Sequence, residues 1–290
     1  MRKMCPVRVG MALAVVIAVT VSTAVCCAVG SGGHWLAGGV SGIEVRPAII
    51  QKELGRFLWL PDTRVGHINV TNRGTAPVVI DIQIAGISHT EDGAINVLPC
   101  SPEAVGALIL SPAGPVTVMP GQAATVRLEL DRAYANMPDR SGLCAALIIT
   151  SAPVRAKPAL QGLDVGSTVV LPVMIKFPWR DHARIAIVEA CAEGQSTEEG
   201  RPALTLKVAN EGGAYVRVDG RVLVQAADGS RAAEAKLEPA LALPGCVRAF
   251  RVKLEGPELP PGEYTADAQI RADGKAAGGA RFTVSSLARP

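Results

Sequence analysis

The sequence predicts an all-β chain of two tandem sandwich domains behind an N-terminal signal or anchor segment. Three observations carry this prediction: short β-branched stretches separated by Gly, Pro, Asn and Asp from Gly42 onward, landmarks that occur twice in the same order, and an uncharged apolar run near the start.

The N-terminus places Arg2, Lys3 and Arg8 before an uncharged run from Val9 to Gly33, centred on the residues from Met11. A charged stretch followed by an apolar one is the order of an export signal. Small residues at Ala28 and Gly30 make cleavage before Ser31 the first expectation. A retained anchor is the alternative, because about 20 apolar residues suffice to span a bilayer. Lipidation at Cys26 or Cys27 is the third reading, although Val25 stands where lipoprotein signals place a small residue. Residues 1–30 are therefore taken as signal peptide or membrane anchor and 31–42 as linker, which predicts a periplasmic or cell-envelope location.

In the first half, strands are expected over Val65–Thr71, Val78–Ala85, Ala124–Leu130, Leu143–Ser151 and Val169–Phe177. Gln83, Arg127, Glu129 and Lys176 alternate with apolar neighbours, the period of a sheet with one packed and one wet face. Ser101–Ala107 and Arg132–Met137 are the best helical candidates, and both are short enough to be loop turns.

The second half repeats the plan with strands over Ala203–Ala209, Tyr215–Ala226, Val247–Leu254, Tyr264–Ala272 and Ala280–Ser285. A strand ending in Asn72-Arg-Gly74 is answered by one ending in Asn210-Glu-Gly212, turns in which Asn and Gly tolerate left-handed backbone. Pro120-Gly121 is answered by Pro244-Gly245, and the segment around Cys144 by the one around Tyr264. Landmarks repeated in order indicate a duplicated sandwich with loops of different length. Tyr264, opening a strand after Pro261-Gly262, fits the tyrosine corner of immunoglobulin-like sandwiches, whose hydroxyl bonds backbone a few residues upstream. The boundary is set where Phe177-Pro178-Trp179 gives way to the strand from Ala183, so the domains are residues 43–181 and 182–290, and Pro178 is a plausible hinge because it cannot donate to a ladder.

Composition narrows the function. The 290 residues are 49% hydrophobic and 19% charged, with net charge +3 and no basic stripe to hold phosphates, so nucleic acid is excluded as a partner. Membrane contact is expected only through the N-terminal segment, if it is retained. Aromatics make up 3% of the chain, too few for a sugar-binding surface of stacking rings; Trp59 and Trp179 are read as core or interface. The Asn69-Val-Thr71 sequon lies in a strand and is read as incidental.

Beyond the signal the chain carries Cys100, Cys144, Cys191 and Cys246, an even number that suggests disulfides in an oxidising compartment. Three pairings are open; pairing within domains joins Cys100 to Cys144 and Cys191 to Cys246, and buried free thiols are the alternative. No pair has the short spacing of a zinc site. His34, His67, His89 and His182 are scattered, and no metalloprotease, nucleophile-elbow, phosphate-loop or dinucleotide motif occurs. His89-Thr-Glu91-Asp92-Gly93 reads as a polar hairpin turn. No enzyme, cofactor or metal is therefore expected.

Three segments give the chain a resemblance to the periplasmic pilus-assembly chaperones of the chaperone/usher pathway. These are Ile43 to Ile50 with Arg46, Ile68 to Asn72, and Val169 to Trp179 with Lys176. The resemblance implies that Arg46 and Lys176 grip the C-terminal carboxylate of a protein partner, such as a pilin-like subunit, in the cleft between domains. Charge-assisted donors suit a carboxylate taken from water. It also implies that Val169, Leu171, Val173 and Ile175 present the alternating row needed for β-strand addition to that partner. Pro172 and the Pro-rich segment from Ala152 to Gln161 depart from the family pattern. The competing expectations are that the row faces the core while Arg46 and Lys176 are surface charges, and that the protein is a structural or adhesive envelope protein with tandem spacer domains.

Overall fold

The computed structural model describes residues 35–36, 42–57, 60–99, 101–154, 166–180, 183–193, 203–255, 259–260 and 262–286. The expected signal or anchor segment, Cys100, His182 and most of the Pro-rich segment lie outside the described residues. Among the described residues no helix is long and apolar enough to cross a membrane.

The first sandwich is built from β1 (Trp35–Leu36), β2 (Ile43–Arg46), β3 (Ile50–Glu53), β4 (Arg56–Phe57), β5 (Leu60–Pro61), β6 (Arg64–Asn72), β7 (Val78–His89), β8 (Ile95–Leu98), β9 (Leu108–Ser111), β10 (Val116–Val118), β11 (Ala123–Leu130), β12 (Gly142–Pro153) and β13 (Ser167–Lys176). One sheet has the order β1-β2-β6-β11-β9 and the other β10-β7-β12-β13-β3, with β8 on β7 and β4-β5 as a small separate pair. The chain thus crosses from one sheet to the other between β2 and β3. Inward rows of both sheets, among them Ile68, Val70, Leu128, Leu147, Ile149 and Phe177, form the core. The two helical candidates are short turns, α1 (Pro102–Ala107) and α2 (Arg132–Asn136), capped by Ser101 and Asp131. The Asp131 carboxylate accepts from the Ala133 and Tyr134 amides at 2.8 and 3.1 Å, satisfying donors that a helix start leaves open.

The second sandwich comprises β14 (Ile185–Glu193), β15 (Ala203–Asn210), β16 (Val216–Gln225), β17 (Arg231–Ala242), β18 (Val247–Lys253), β19 (Gly262–Ala272) and β20 (Lys275–Ser286). Its sheets have the orders β14-β15-β18 and β17-β16-β19-β20, closed over a separate core that includes Leu206, Val222, Ala266 and Val284. The all-β, two-sandwich expectation holds. The Tyr264 hydroxyl donates to the Pro260 carbonyl at 2.7 Å, the bond expected of a tyrosine corner.

The repeated Asn landmarks do the same work in each copy, but not the work the sequence suggested. Both side chains are buried. The Asn72 amide donates to the carbonyls of Ala76 (2.8 Å) and Val118 (3.0 Å) while its oxygen accepts from Gly74 N–H (2.9 Å). Asn210 donates to Ala214 and Ala242, both at 2.9 Å, and accepts from Gly212 N–H at 3.0 Å. Positive backbone angles fall instead on Gly121 and Gly245, whose amides donate to the Asn72 and Asn210 carbonyls. The two repeated landmarks meet in space, and the asparagines join strand ends rather than relieve a left-handed turn.

Candidate partner-binding site

The last strand of the first sandwich, β13, pairs with β12 over its whole length, from Ser151 opposite Ser167 to Gly142 opposite Lys176. The ladder continues through Pro172, opposite Ala146. On the other edge β3 runs parallel to β13 only from Val173 to Lys176. Among the described residues, no strand covers the outer edge of Ser167–Pro172. An uncovered edge presents main-chain donors and acceptors to any extended chain that reaches it.

The side chains on this strand divide between two faces, and the row expected to face a partner takes the competing place, toward the core. Leu171, Val173 and Ile175 are buried in the core of the first sandwich, and Val169 packs against it. This row faces β2, β6 and β11 because strand residues two apart share a face and the apolar row is the one that must leave water. The opposite row is Thr168, Val170, Pro172, Met174 and Lys176. Thr168 and Val170 are exposed, whereas Met174 and Lys176 are covered by the second sandwich.

Lys176 therefore lies on the face predicted to be wet, yet it is only 4% exposed. Its ammonium is paired with the Asp273 carboxylate. Asp273 reaches it from the Asp273-Gly274 turn between β19 and β20, where both residues have positive φ, as a two-residue hairpin with right-twisted strands requires. The second Asp273 oxygen accepts from the Arg217 amide at 2.9 Å. Lys176 stands opposite Glu53 in the parallel register, and the Tyr215 phenol beside this group is pushed up by burial and then by the Glu53 charge.

Arg46 is elsewhere. It lies on β2, in the other sheet of the first sandwich, opposite Asn69, and its exposed guanidinium pairs with Glu44. Glu44 is buried and also accepts from Arg73 Nε at 2.8 Å; Arg73 and then Arg46 hold its carboxyl below the usual range. The expected Arg46–Lys176 grip on a carboxylate is not assembled, because each cation is engaged by a carboxylate of its own surroundings. Arg46 closes its strand, and the chain leaves that sheet immediately after it.

Sequence reasoning missed the joint between the sandwiches. Ile87, Ala146, Met174 and Leu243 form a small apolar cluster there, with Ile95, Cys144, Tyr215, Leu241 and Cys246 packed around it. His89 seals its edge: Nδ1 is 2.8 Å from the Thr90 carbonyl, and Nε2 accepts from the Leu243 amide at 3.0 Å. Those partners fix a neutral ring with the proton on Nδ1, and burial lowers its pKa. The Glu91 carbonyl accepts from the Ala249 amide at 2.8 Å, and the Glu91 carboxylate pairs with Lys207 at 3.3 Å. The polar hairpin turn is thus a docking turn. Among the described residues no group of three or more His, Cys, Asp or Glu side chains is placed to hold a metal ion.

Among the described residues no disulfide is formed. Cys144, Cys191 and Cys246 are free thiols, and Cys100 lies outside the described residues. Cys191 is exposed on β14 opposite Thr205, whereas Cys246 precedes β18, two strands across and five residues along from Arg251, the β18 partner of Thr205. A disulfide holds its Cα atoms within about 7 Å, so this register keeps the two apart.

Fold and site define a two-sandwich all-β protein in which the outer edge of Ser167–Pro172 is not covered by any described strand and the sandwiches meet at an apolar joint. No family model matches the chain, and no curated protein matches it. Solved structures similar to it include chaperones. The YadV chaperone is 13% identical, with 83% of this chain and 99% of that chain covered and a TM-score of 0.36. The Escherichia coli chaperone DraB is 15% identical, with coverage of 86% and 98% and a TM-score of 0.39. The Salmonella enterica SafB chaperone with SafA pilin is 13% identical, with coverage of 85% and 98% and a TM-score of 0.40.

Proposed function

We propose that this is an exported protein-binding module that receives an extended segment of a partner polypeptide as an added strand along the outer edge of Ser167–Pro172. The uncovered edge is the observation that carries the reading. Backbone bonds along it supply affinity, and the outward side chains of Thr168 and Val170 supply register. The sequence resemblance makes a pilin-like subunit the partner to test. A partner's terminal carboxylate reaches Lys176 in this reading only by replacing Asp273, and Arg46 stays with Glu44.

Amide hydrogen exchange in the presence of a pilin-like subunit tests the edge. Exchange over Ser167–Leu171 slows on binding, and Val170→Asp abolishes both capture and protection while leaving the thermal unfolding of the free protein unchanged. Capture with no change in exchange on this strand overturns strand addition.

A second reading is favoured by the closed joint: a structural envelope protein whose two sandwiches act as one spacer. The apolar cluster and the Lys176–Asp273 pair tie the two sandwiches to each other. Under this reading, exchange at Ser167–Leu171 is unchanged by any pilin-like subunit.

A further inference from the structure

Two thiols from different sandwiches meet at the joint. Cys144, on β12 opposite Met174, and Cys246, in the turn between β17 and β18, both pack on the cluster of Ile87, Ala146, Met174 and Leu243. The turn is closed, since the Cys246 amide donates to the Leu243 carbonyl at 3.2 Å and the Cys246 carbonyl accepts from the Asn210 amide at 3.0 Å. Leu243 is buried, so Cys246 is fixed over the cluster. The Cys144 sulfur lies at the backbone amide of Tyr215, the residue before Val216, and Val216 is paired with Ala242 next to Leu243. Strand pairing thus leads from one sulfur to the turn that carries the other.

We propose that Cys144 and Cys246 are a disulfide-forming pair that joins the two sandwiches covalently when the chain is oxidised. The proposal rests on the export reading only for where the oxidant is met; the pairing itself rests on the joint. The oxidant is a disulfide, acting by thiol–disulfide exchange. Burial and the neighbouring Cys246 push the Cys144 thiol up to about 12, which makes Cys144 the slower nucleophile at neutral pH. The Cys246 thiolate therefore attacks first, forming a mixed disulfide and releasing one thiol. Cys144 then loses its proton and attacks the Cys246 sulfur, releasing the second thiol. Two protein thiols are oxidised and one disulfide is reduced to two thiols.

The test is peptide mapping by mass spectrometry, without reduction, of the folded full chain incubated with oxidised glutathione and then alkylated. The expected result is a linked peptide pair carrying Cys144 and Cys246. It is lost on reduction, absent in Cys246→Ser and retained in Cys191→Ser. The same linkage is not enriched when the chain is oxidised in urea, which separates a folded pairing from random pairing. Recovery of Cys144 and Cys246 as alkylated or glutathione-bound residues overturns the proposal, as does linkage of Cys144 to Cys100 or Cys191. Because the oxidant is supplied, failure here leaves the strand-addition reading standing, and failure of strand addition leaves the bridge standing.

Discussion

Lys176, the last residue of β13, is held by Asp273 of the opposite sandwich, so the cation that the sequence assigns to a partner serves the protein's own joint. Removing either partner breaks this pair. Lys176→Ala or Asp273→Ala is expected to destabilise the protein by about 2 kcal/mol, discounted from a fully buried pair because Asp273 keeps some water. In urea titrations the double variant is expected to cost clearly less than the sum of the single ones; additive costs would show that the pair is not coupled.

The two asparagines give matched expectations. Asn72→Ala leaves the Ala76 and Val118 carbonyls and the Gly74 amide without their partner, and Asn210→Ala does the same to Ala214, Ala242 and Gly212. Each substitution is expected to cost about 2–3 kcal/mol, the range for buried polar groups left unsatisfied. Melting either variant in a scanning calorimeter checks this, and a loss below half a unit on that scale would mean water replaces the side chain.

Tyr264→Phe removes one hydroxyl bond, to Pro260, and keeps the ring in the core. A loss of about 1 kcal/mol is expected in denaturant unfolding. An unchanged midpoint would remove the corner from the list of stabilising contacts.

His89 makes the joint acid-sensitive. Its folded pKa lies below the ordinary 6.5, with burial as the main cause and the Arg248 charge also acting to lower it. The unfolded chain therefore binds the proton more readily than the folded one. The neutral ring's contribution is full above 6.5 and is lost as pH falls from there through the folded value. Protonation also ends acceptance from the Leu243 amide. Stability followed against pH is expected to drop over this window in the native sequence and to flatten there in His89→Phe; equal slopes would assign the drop to other groups.

Much of the fold is legible from turn residues and two-residue periodicity, as at β11 and, from Tyr264 onward, β19, where outward and buried residues alternate. Strand β17 is not. Its Arg-Ala-Ala-Glu-Ala-Lys-Leu-Glu composition has poor strand propensity, and only its pairing with β16 makes a strand of it, with Ala233, Ala235 and Leu237 facing the core. The strand that carries the candidate site is legible, but its facing is not. Lys176 and Val169 to Ile175 stand on β13 as expected of a strand there, yet which row is covered depends on the second sandwich, a contact far along the chain that no local period encodes. His89 reads as a turn residue in the sequence because its partner, Leu243, lies 154 positions away.

The asparagine bonds close loops of 46 and 32 residues within each copy, whereas the bonds that join the copies, Lys176 to Asp273 and Leu243 to His89, span 97 and 154. Short loops close sooner than long ones. Each sandwich closes a core of its own, and the joint is completed only when both halves are present. Until it is, Met174, Ile87 and the His89 ring of the leading half stand in water, a sticky face whose lifetime is set by how quickly the trailing half arrives.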